Sequence, residues 1–454
     1  MMKRAADAAI RRSPFRIRRL FFILSLLPAL STPVNFSFAS APPPQRARGA
    51  AGRAEGARLL REAAESLQAG RLEAAEPLLR RAVAADPSNA DAHNLFGVLL
   101  DRRGRFREAE AAYREAIRLL PRAAGARANL GVLLARAGRA PEAVGLFEEV
   151  LRLAPGHPQA TFNLGLALFQ LKRHGEAAAL LASPPALAQN APEAFYHLGL
   201  IAAAGGRAEE AAEFWQRALG LRERYPEVNF ALAEELRRQR RYEGAAEFYA
   251  RALEQDPSKL VHHVRLGGVL MLLSRYAEAL ELFRRATERF PDSAEAHYFT
   301  GIAARGTGAY REAEAALRRS LSLKGASVDA AAQLGFVVGE LGRGDEAERL
   351  LRRALALDAR HFYAHYDLGR LLVRGRRFEE ALPVLRAAAR LRGQDPGVRY
   401  QLFIALTRLG RKEEAERELS LFKQLDAARK ARRGAEGEDQ VEDALPRPEA
   451  SEPG

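Results

Sequence analysis

The chain has 454 residues, no cysteine and a formal net charge of +14. Without cysteine it can form no disulfide, thiolate nucleophile or cysteine-based zinc site. The sequence is rich in Ala, Leu, Arg and Glu, which favour helices, so a large sheet is not expected. Because the arginines alternate with glutamates, we interpret most of the positive charge as a solvated helix surface, and nucleic acid is not expected as a partner.

The N-terminal residues have the layout of an export signal. Residues 1–19 carry seven Lys or Arg, residues 20–30 are mostly apolar, and residues 31–41 are small and uncharged. This order predicts a secretory signal peptide over residues 1–39, cleaved after Ala39, and therefore a periplasmic or secreted protein exported across the inner membrane. The alternative is an uncleaved N-terminal anchor, which is the only membrane contact we expect, because 22 residues without a charge can span a bilayer. Residues 40–55 are rich in Pro, Arg, Ala and Gly and predict a flexible linker.

A repeat of 34 residues occupies most of the rest of the sequence. Eleven windows of this length follow one another without insertion or deletion over residues 56–429. The windows begin at residues 56, 90, 124, 158, 192, 226, 260, 294, 328, 362 and 396. A fixed period of this kind indicates a solenoid, in which each repeat packs only on its neighbours.

Small residues recur at three places in the window. Position 20 is Ala in all eleven windows, position 8 is Gly in eight of them, and position 27 is often Ala. A glycine inside a helix costs about 1 kcal/mol relative to alanine, so its recurrence implies that a neighbour needs the space. Bulky residues at position 24, such as Tyr113 and Trp215, are suited to fill it. Glycines near position 15 predict the turn between two antiparallel helices, and prolines near the window's end predict the end of the second helix.

These residues resemble the tetratricopeptide repeat family. The stretches AHNLFGVLLDRRGRFREAEAAYREAIRLLP (92–121) and AHYDLGRLLVRGRRFEEALPVLRAAARL (364–391) carry its pattern well. The resemblance implies an all-α, right-handed superhelical solenoid of about eleven helix-turn-helix repeats. It also implies that the first helix of each window lines a concave groove that binds peptides or protein segments.

Two windows depart from the pattern. In the fourth window, Pro184-Pro185 fall inside the expected second helix, which should therefore end near Ser183, and residues 183–192 become either a hinge or a tolerated local defect. In the eleventh window, residues 413–433 predict an extended C-terminal capping helix, as an array needs for solubility. Residues 430–454 are interpreted as the end of that helix and an acidic tail, disordered from residue 434.

The resemblance places window positions 5 and 9 on the concave side, where they form an aromatic and aliphatic stripe. The predicted partner-binding residues are Asn94, Phe162, Leu166, Tyr196, Leu200, Phe230, Tyr298, Ile302, Phe336, Tyr366 and Tyr400. Arginines at the groove margin are predicted to fix acidic groups: Arg102, Arg136, Arg238, Arg374 and Arg408. The competing interpretation is that the aromatic residues only pack neighbouring repeats.

No motif for catalysis is found. The sequence has no phosphate-binding glycine loop, no nucleophile elbow and no zinc-protease motif, and four of its nine histidines fall at a packing position of the repeat. We therefore expect no enzyme, no cofactor and no metal. The predicted function is an exported scaffold or adaptor that binds other proteins. The alternatives are a membrane-anchored basic scaffold acting through electrostatics and a non-catalytic relative of repeat-bearing glycosyltransferases.

Overall fold

A computed structural model describes residues 47–438, with side-chain surroundings for residues 52–431. The predicted signal peptide, residues 1–39, lies outside the described residues. Residues 47–438 form 22 helices and no strand, which confirms the all-α class. Odd-numbered helices are the first helices of the windows: α1 (Ala47–Gln68), α3 (Ala90–Arg102), α5 (Ala124–Arg136), α7 (Pro158–Gln170), α9 (Pro184–Ala204), α11 (Pro226–Arg238), α13 (Leu260–Leu272), α15 (Ala294–Thr307), α17 (Val328–Glu340), α19 (Phe362–Arg374) and α21 (Pro396–Arg408). Even-numbered helices are the second helices: α2 (Leu72–Ala85), α4 (Phe106–Leu119), α6 (Ala140–Leu153), α8 (His174–Leu181), α10 (Ala208–Leu221), α12 (Tyr242–Gln255), α14 (Tyr276–Arg289), α16 (Tyr310–Leu323), α18 (Gly344–Leu357), α20 (Phe378–Leu391) and α22 (Lys412–Glu438).

The described chain divides into two compact units at residue 240. The first unit contains α1–α11, and the second unit contains α12–α22. Each unit has its own buried core. One cluster of the first unit extends from Val98 to Ile201, and a cluster of the second extends from Ala331 to Ala415.

The turn inside each hairpin requires a left-handed residue at window position 15. Seven windows place glycine there, as the sequence predicted, with φ between 72° and 85°. The other four windows adopt the same positive φ with a non-glycine residue: Lys172, Arg240, Ser274 and Arg376. The turn geometry is therefore constant, and these four positions accept a backbone strain on the order of 1 kcal/mol.

The glycines at position 8 make room for a bulky residue of the second helix. A Cβ atom added to Gly199 would lie 2.3 Å from Nε1 of Trp215, and one added to Gly267 would lie 2.2 Å from Cζ of Phe283. Trp215 and Phe283 are fully buried. The close approach of the two helices inferred from the sequence is confirmed, and these glycines have a packing reason that no other residue satisfies.

The fourth window breaks where the prolines predicted. Its second helix α8 has only eight residues, and Pro184-Pro185 begin the next helix instead. That helix contains one non-helical residue, Asn190, which separates an extra turn from the first helix of the fifth window. Ala186, on the extra turn, belongs to the same buried core as the flanking windows, so the core continues through the break.

Two predicted boundaries were wrong. Helix α1 begins at Ala47, so residues 47–55 are helical and not a flexible linker; this stretch has enough alanine and arginine to extend the first helix. At the other end, α22 continues to Glu438, five residues into the predicted disordered tail. The extended capping helix itself is present. Position 28 of this last window is Lys423, which is exposed. The same position in earlier windows is apolar and half-buried, as in Ile117, Leu151 and Leu253.

Several arginines of the solvated surface also join neighbouring repeats. In four windows the arginine at position 16, just before the second helix, pairs both with the glutamate three residues later and with a glutamate of the preceding second helix. Examples of the bond between helices are Arg105–Glu76 at 2.8 Å, Arg139–Glu110 at 2.9 Å, Arg343–Glu314 at 2.5 Å and Arg377–Glu348 at 2.5 Å. The partner arginine lowers the pKa of Glu314 and of Glu348.

Candidate peptide-binding surface

We call the surface formed by window positions 2, 5, 6, 9, 12 and 13 of the first helices the first-helix face. The structure buries much of the predicted stripe within it. Phe162, Leu166, Tyr196, Tyr298, Ile302 and Tyr366 are buried, and Asn94, Leu200, Phe230 and Phe336 are half-buried. Tyr400 alone among these eleven residues is exposed, at 43%. The packing interpretation therefore describes about half of the stripe, because those side chains contribute to the core.

In the first unit, neighbouring first helices bond to each other across this face. Asn129 Nδ2 donates to Asn94 Oδ1 at 3.0 Å, and Arg136 forms an ion pair with Asp101. Arg102 donates to the main-chain oxygen of Leu67 at 2.9 Å. Two of the predicted margin arginines thus hold adjacent repeats together, and their donors are already used.

A buried polar network occupies the fifth window of the first unit. The Tyr225 hydroxyl donates to a carboxylate oxygen of Glu193 at 2.5 Å, and the Arg222 guanidinium lies 3.9 Å from the same oxygen. The Nδ1 atom of His197 lies 3.0 Å from the Glu193 main-chain oxygen, and burial lowers the pKa of His197. Trp215 donates to the main-chain oxygen of Tyr196 at 3.1 Å. This network joins α9 to the start of α11 and presents little polar surface to a ligand.

The second unit carries a different arrangement, centred on Phe336 of α17. The guanidinium carbon of Arg305 lies 4.2 Å from the centre of the Phe336 ring, and that of Arg370 lies 4.8 Å from it. Arg305 donates to the neutral amide of Gln333. The ring is half-buried, so an aromatic surface between two cations remains accessible on the face.

Arg370 and Arg374 share one carboxylate. Each donates to Oε1 of Glu340 at 2.9 Å, while the Arg370 Nε atom lies 3.9 Å from Asp367. Burial raises the pKa of Asp367, and Arg370 opposes that shift. These residues line a narrow cleft between α17 and α19 with a cavity volume of about 10 Å³, roughly the room of one water molecule.

A tyrosine hydroxyl without a partner lies beside this arrangement. Tyr298 is fully buried, and its hydroxyl has no hydrogen-bond partner among the described residues. Burial raises the pKa of Tyr298, nearby Asp329 raises it further, and Arg305 opposes the shift. Asp329 is itself bonded to Nε2 of His361 at 3.0 Å. An unpaired buried hydroxyl costs free energy, on the order of 1–3 kcal/mol, and because Tyr298 has no exposed surface, a ligand on the face does not reach it.

The other three predicted margin arginines differ in the partners that they have. Arg238 pairs with Glu235 of its own helix at 2.6 Å, and Arg374 pairs with Glu340. Arg408 is exposed and has no ion pair within the described residues. Sequence reasoning missed Arg305 and Glu340, although their location at positions 12 and 13 of the first helices was a usable signal.

The histidines at window position 4 bond to main chain. The Nε2 atoms of His93, His297 and His365 lie 3.1, 2.9 and 2.9 Å from main-chain oxygens of the loop before their helices. Within residues 47–438, no group of acidic and histidine side chains could hold a metal ion. Over that same stretch, no helix is both long and apolar enough to cross a membrane.

Comparisons with known proteins agree with this architecture. Models of the tetratricopeptide repeat match residues 60–124, 94–158, 129–183, 265–332 and 338–396, and a second such model matches residues 226–259. These matches cover more than half of the sequence. The chain therefore belongs to the tetratricopeptide repeat family, and it has the α-solenoid architecture of that family. A search of curated proteins finds no match.

Solved structures of repeat proteins are similar to parts of the chain. The Cut9–Hcn1 hetero-tetramer of the APC/C matches with 15% identity over 82% of this chain and 79% of that chain, at a TM-score of 0.37. YrrB, described as a tetratricopeptide repeat protein with an unusual peptide-binding site, matches with 23% identity over 40% of this chain and 95% of its own, at 0.34. MamA from Desulfovibrio magneticus RS-1 matches with 19% identity over 37% and 96%, at 0.35.

Proposed function

We propose that this protein is an exported, non-enzymatic scaffold that binds segments of other proteins on the first-helix face of its second unit. Membership of the tetratricopeptide repeat family supports a protein-interaction scaffold. The observation that supports this surface is the half-buried Phe336 ring between the guanidiniums of Arg305 and Arg370. Aromatic residues and arginine dominate the energetics of protein interfaces.

On the first unit, the same face offers fewer accessible groups, which favours the second unit as the binding surface. Its polar groups on the same face bond to each other, as in the Asn94–Asn129 and Asp101–Arg136 pairs. A ligand there has to break existing bonds, whereas in the second unit it finds an accessible ring, the exposed Tyr400 and the unpaired Arg408. Binding at Tyr400 and Arg408 therefore requires no hydrogen bond or ion pair of the described residues to be broken.

The burial of the stripe decides which substitutions can test binding on the first-helix face. Substitution of Tyr196, Phe230 and Tyr298 together is a poor test, because two of these side chains are buried and their removal leaves cavities of the kind that cost about 3–5 kcal/mol. A variant with Phe336→Ser and Arg370→Gln removes accessible groups instead. Its matched control is Leu357→Ser with Arg285→Gln, which makes equivalent changes at exposed positions of second helices in the same unit.

The experiment is a selection of random twelve-residue peptides on the chain from Ser40, followed by fluorescence anisotropy of the enriched peptides. We expect peptides that combine apolar and acidic residues. The face variant should weaken them about 30-fold, since hot spots contribute about 2 kcal/mol or more. The control should bind as the wild type does. Equal weakening by both variants, or no enrichment on the wild type, contradicts the proposal.

Export is tested separately. The proposal is supported by the Arg-rich, apolar and small-residue order of residues 1–39. Expression of the full chain with a C-terminal tag should yield a periplasmic or secreted product whose N-terminal residue is Ser40. A membrane-bound product that retains Met1 indicates the uncleaved anchor, and a full-length cytoplasmic product contradicts export.

A further inference from the structure

The groove between the second helices α12 and α14 lacks an ion pair that crosses similar grooves of the same unit. In three other windows of this unit, the arginine at position 25 pairs with the glutamate at position 19 of the next window. These pairs are Arg284–Glu312 at 2.7 Å, Arg318–Glu346 at 2.6 Å and Arg386–Glu414 at 2.8 Å. Position 25 of the sixth window is Ala250, whose methyl group is too short to cross the groove. Among the described residues, no ion pair joins α12 to α14, so this groove stays open.

The open groove contains a cavity of about 730 Å³, whereas the cleft beside Phe336 has room for about one water molecule. Leu253, Leu266 and Leu282 form its apolar part, and the last two are buried. Cavities of about 300–1,000 Å³ with apolar walls and a few polar groups are typical of small-molecule sites. The size and lining of this cavity therefore suit a small amphipathic molecule.

A buried histidine of α13 supplies a polar group to the cavity. His263 lines it and is only 5% exposed. The Nδ1 atom of His263 lies 3.4 Å from the main-chain oxygen of Lys259, and its Nε2 atom has no hydrogen bond among the described residues. Burial lowers the pKa of His263, and the cations Arg289 and Arg285 lower it further. The ring is therefore neutral at pH 7, and both guanidiniums lie close to it.

These two arginines have no partner of their own. Arg285 and Arg289 lie one helical turn apart on α14, line the cavity and form no ion pair among the described residues. Glu254 and Glu288 also line the cavity and are likewise unpaired, so the four charges cancel. A polyanion is not favoured by such a site, but a single acidic group can pair with the two guanidiniums beside the neutral histidine.

We propose that the cavity between α12 and α14 binds a small amphipathic anion of the fatty-acid class. The acidic group pairs with Arg285 and Arg289, and the hydrocarbon chain packs on the three leucines. This site is separate from the first-helix face, because its residues lie on second helices and at positions 4 and 7 of α13. Arg285→Gln, a control for peptides on the first-helix face, is therefore a test variant for the cavity.

The first test closes the cavity without touching the buried core. The chain from Ser40 is titrated with dansyl-undecanoic acid, and bound dye is followed by its fluorescence. Ala250→Arg restores the position-25 arginine at an exposed site, where it can reach Glu278 as its counterparts reach their glutamates. The matched control is Ala315→Arg, which adds the same side chain at an exposed position of α16.

The second test concerns the charge of the ligand. Arg285→Gln with Arg289→Gln removes both cations, and its control is Arg349→Gln with Arg353→Gln, two exposed arginines with the same spacing on α18. Bound dye is also displaced with decanoate or with decyltrimethylammonium, which carry hydrocarbon chains of equal length and opposite charge. Urea denaturation of each variant checks that the fold is retained.

We expect saturable binding of one dye per chain, about tenfold weaker binding in both test variants, and no change in either control. Decanoate should displace the dye, and decyltrimethylammonium should not. Absence of saturable binding, or unchanged binding in Ala250→Arg, overturns the inference. Weaker binding in Ala250→Arg but not in the arginine variant, or equal displacement by both amphiphiles, overturns the assignment of an anion. No peptide enters this assay, so the proposed function and this inference can fail independently.

Discussion

The two units follow one 34-residue repeat and use the same face in different ways. In the first unit, side chains of neighbouring first helices satisfy each other, and the Glu193–Tyr225 bond fixes α9 to α11. In the second unit, Arg370 and Arg374 also bond to Glu340 of the preceding first helix, but two cations flank an accessible ring and Arg408 meets no carboxylate in the described residues. The repeat period therefore determines the architecture, while a few substitutions at positions 2, 9, 12 and 13 determine whether the face bonds to itself or remains open to a ligand.

The largest expected effect comes from overpacking one unit at a time. Gly199→Leu in the first unit and Gly267→Leu in the second force a side chain into Trp215 or Phe283, at a cost of about 3 kcal/mol. Since each repeat contacts only its neighbours, we expect each variant to split chemical denaturation into two transitions and to shift only the one from its own unit.

The control for this prediction is Gly145→Ala, where an added Cβ has no neighbour within 4 Å. This change should raise the free energy of unfolding by about 0.5–1 kcal/mol, because alanine favours a helix more than glycine does. A single transition that moves as a whole in both leucine variants contradicts independent units.

The next effect is confined to the network of the first unit. Tyr225→Phe removes the hydroxyl that donates to Glu193 at 2.5 Å and leaves a buried carboxylate with poorer solvation. We expect a loss of about 1–3 kcal/mol in the free energy of unfolding, measured by urea denaturation. The double variant Tyr225→Phe/Glu193→Met should recover part of that loss, because it removes both polar groups. A double variant less stable than the single one would show that Glu193 contributes through other contacts.

The pH dependence of the first unit gives a smaller effect. Burial lowers the pKa of His197 below its ordinary value of 6.5, so the unfolded chain binds a proton more readily than the folded unit does. The contribution of His197 to stability is complete above about pH 6.5 and is lost as the pH falls below that value. Between pH 7.5 and pH 5, the free energy of unfolding should therefore decrease less in His197→Phe than in the wild type, as measured by denaturation at each pH. Equal decreases contradict the role of His197.

The smallest expected change in stability comes from substitutions in the turns of the two units. Lys172→Gly in the first unit and Arg376→Gly in the second replace non-glycine residues with φ of 60° and 58°. The relief of strain exceeds the extra entropy of the unfolded chain, so we expect a gain of about 0.5 kcal/mol for each in thermal or urea denaturation. A loss of stability at either position means that its side chain makes a contact worth more than the strain.

The sequence allowed the repeat architecture to be predicted well, because the constraint is local. Glycine occupies the left-handed turn at position 15 in seven windows, and glycine or alanine occupies position 8 in ten, so both signals are visible without a structure. The exposure of the face could not be predicted in this way. Tyr298 and Tyr400 occupy the same window position, yet the first is fully buried and the second is 43% exposed.

The roles of the arginines were also hidden from the sequence. Arg136 and Arg408 share window position 13, but Arg136 meets Asp101 of the preceding first helix, whereas Arg408 meets no carboxylate in the described residues. Whether such a group is structural or available depends on the residues that the neighbouring repeat supplies at positions 12 and 13, where Asp101 pairs with Arg136 and Glu340 with Arg374. A comparison of position 13 with the facing positions of the preceding window would have distinguished the paired Arg136 from the unpaired Arg408.

We propose that the second unit carries the ligand-binding face and that the first does not. The most direct measurement is the affinity of one selected peptide for the chain from Ser40 and for two variants, Phe336→Ser/Arg370→Gln in the second unit and Asn94→Ala/Leu200→Ala at half-buried positions of the first. We predict an about 30-fold loss in the second-unit variant and less than about twofold change in the first-unit variant. Equal losses in both, or a loss only in the first-unit variant, would contradict the claim.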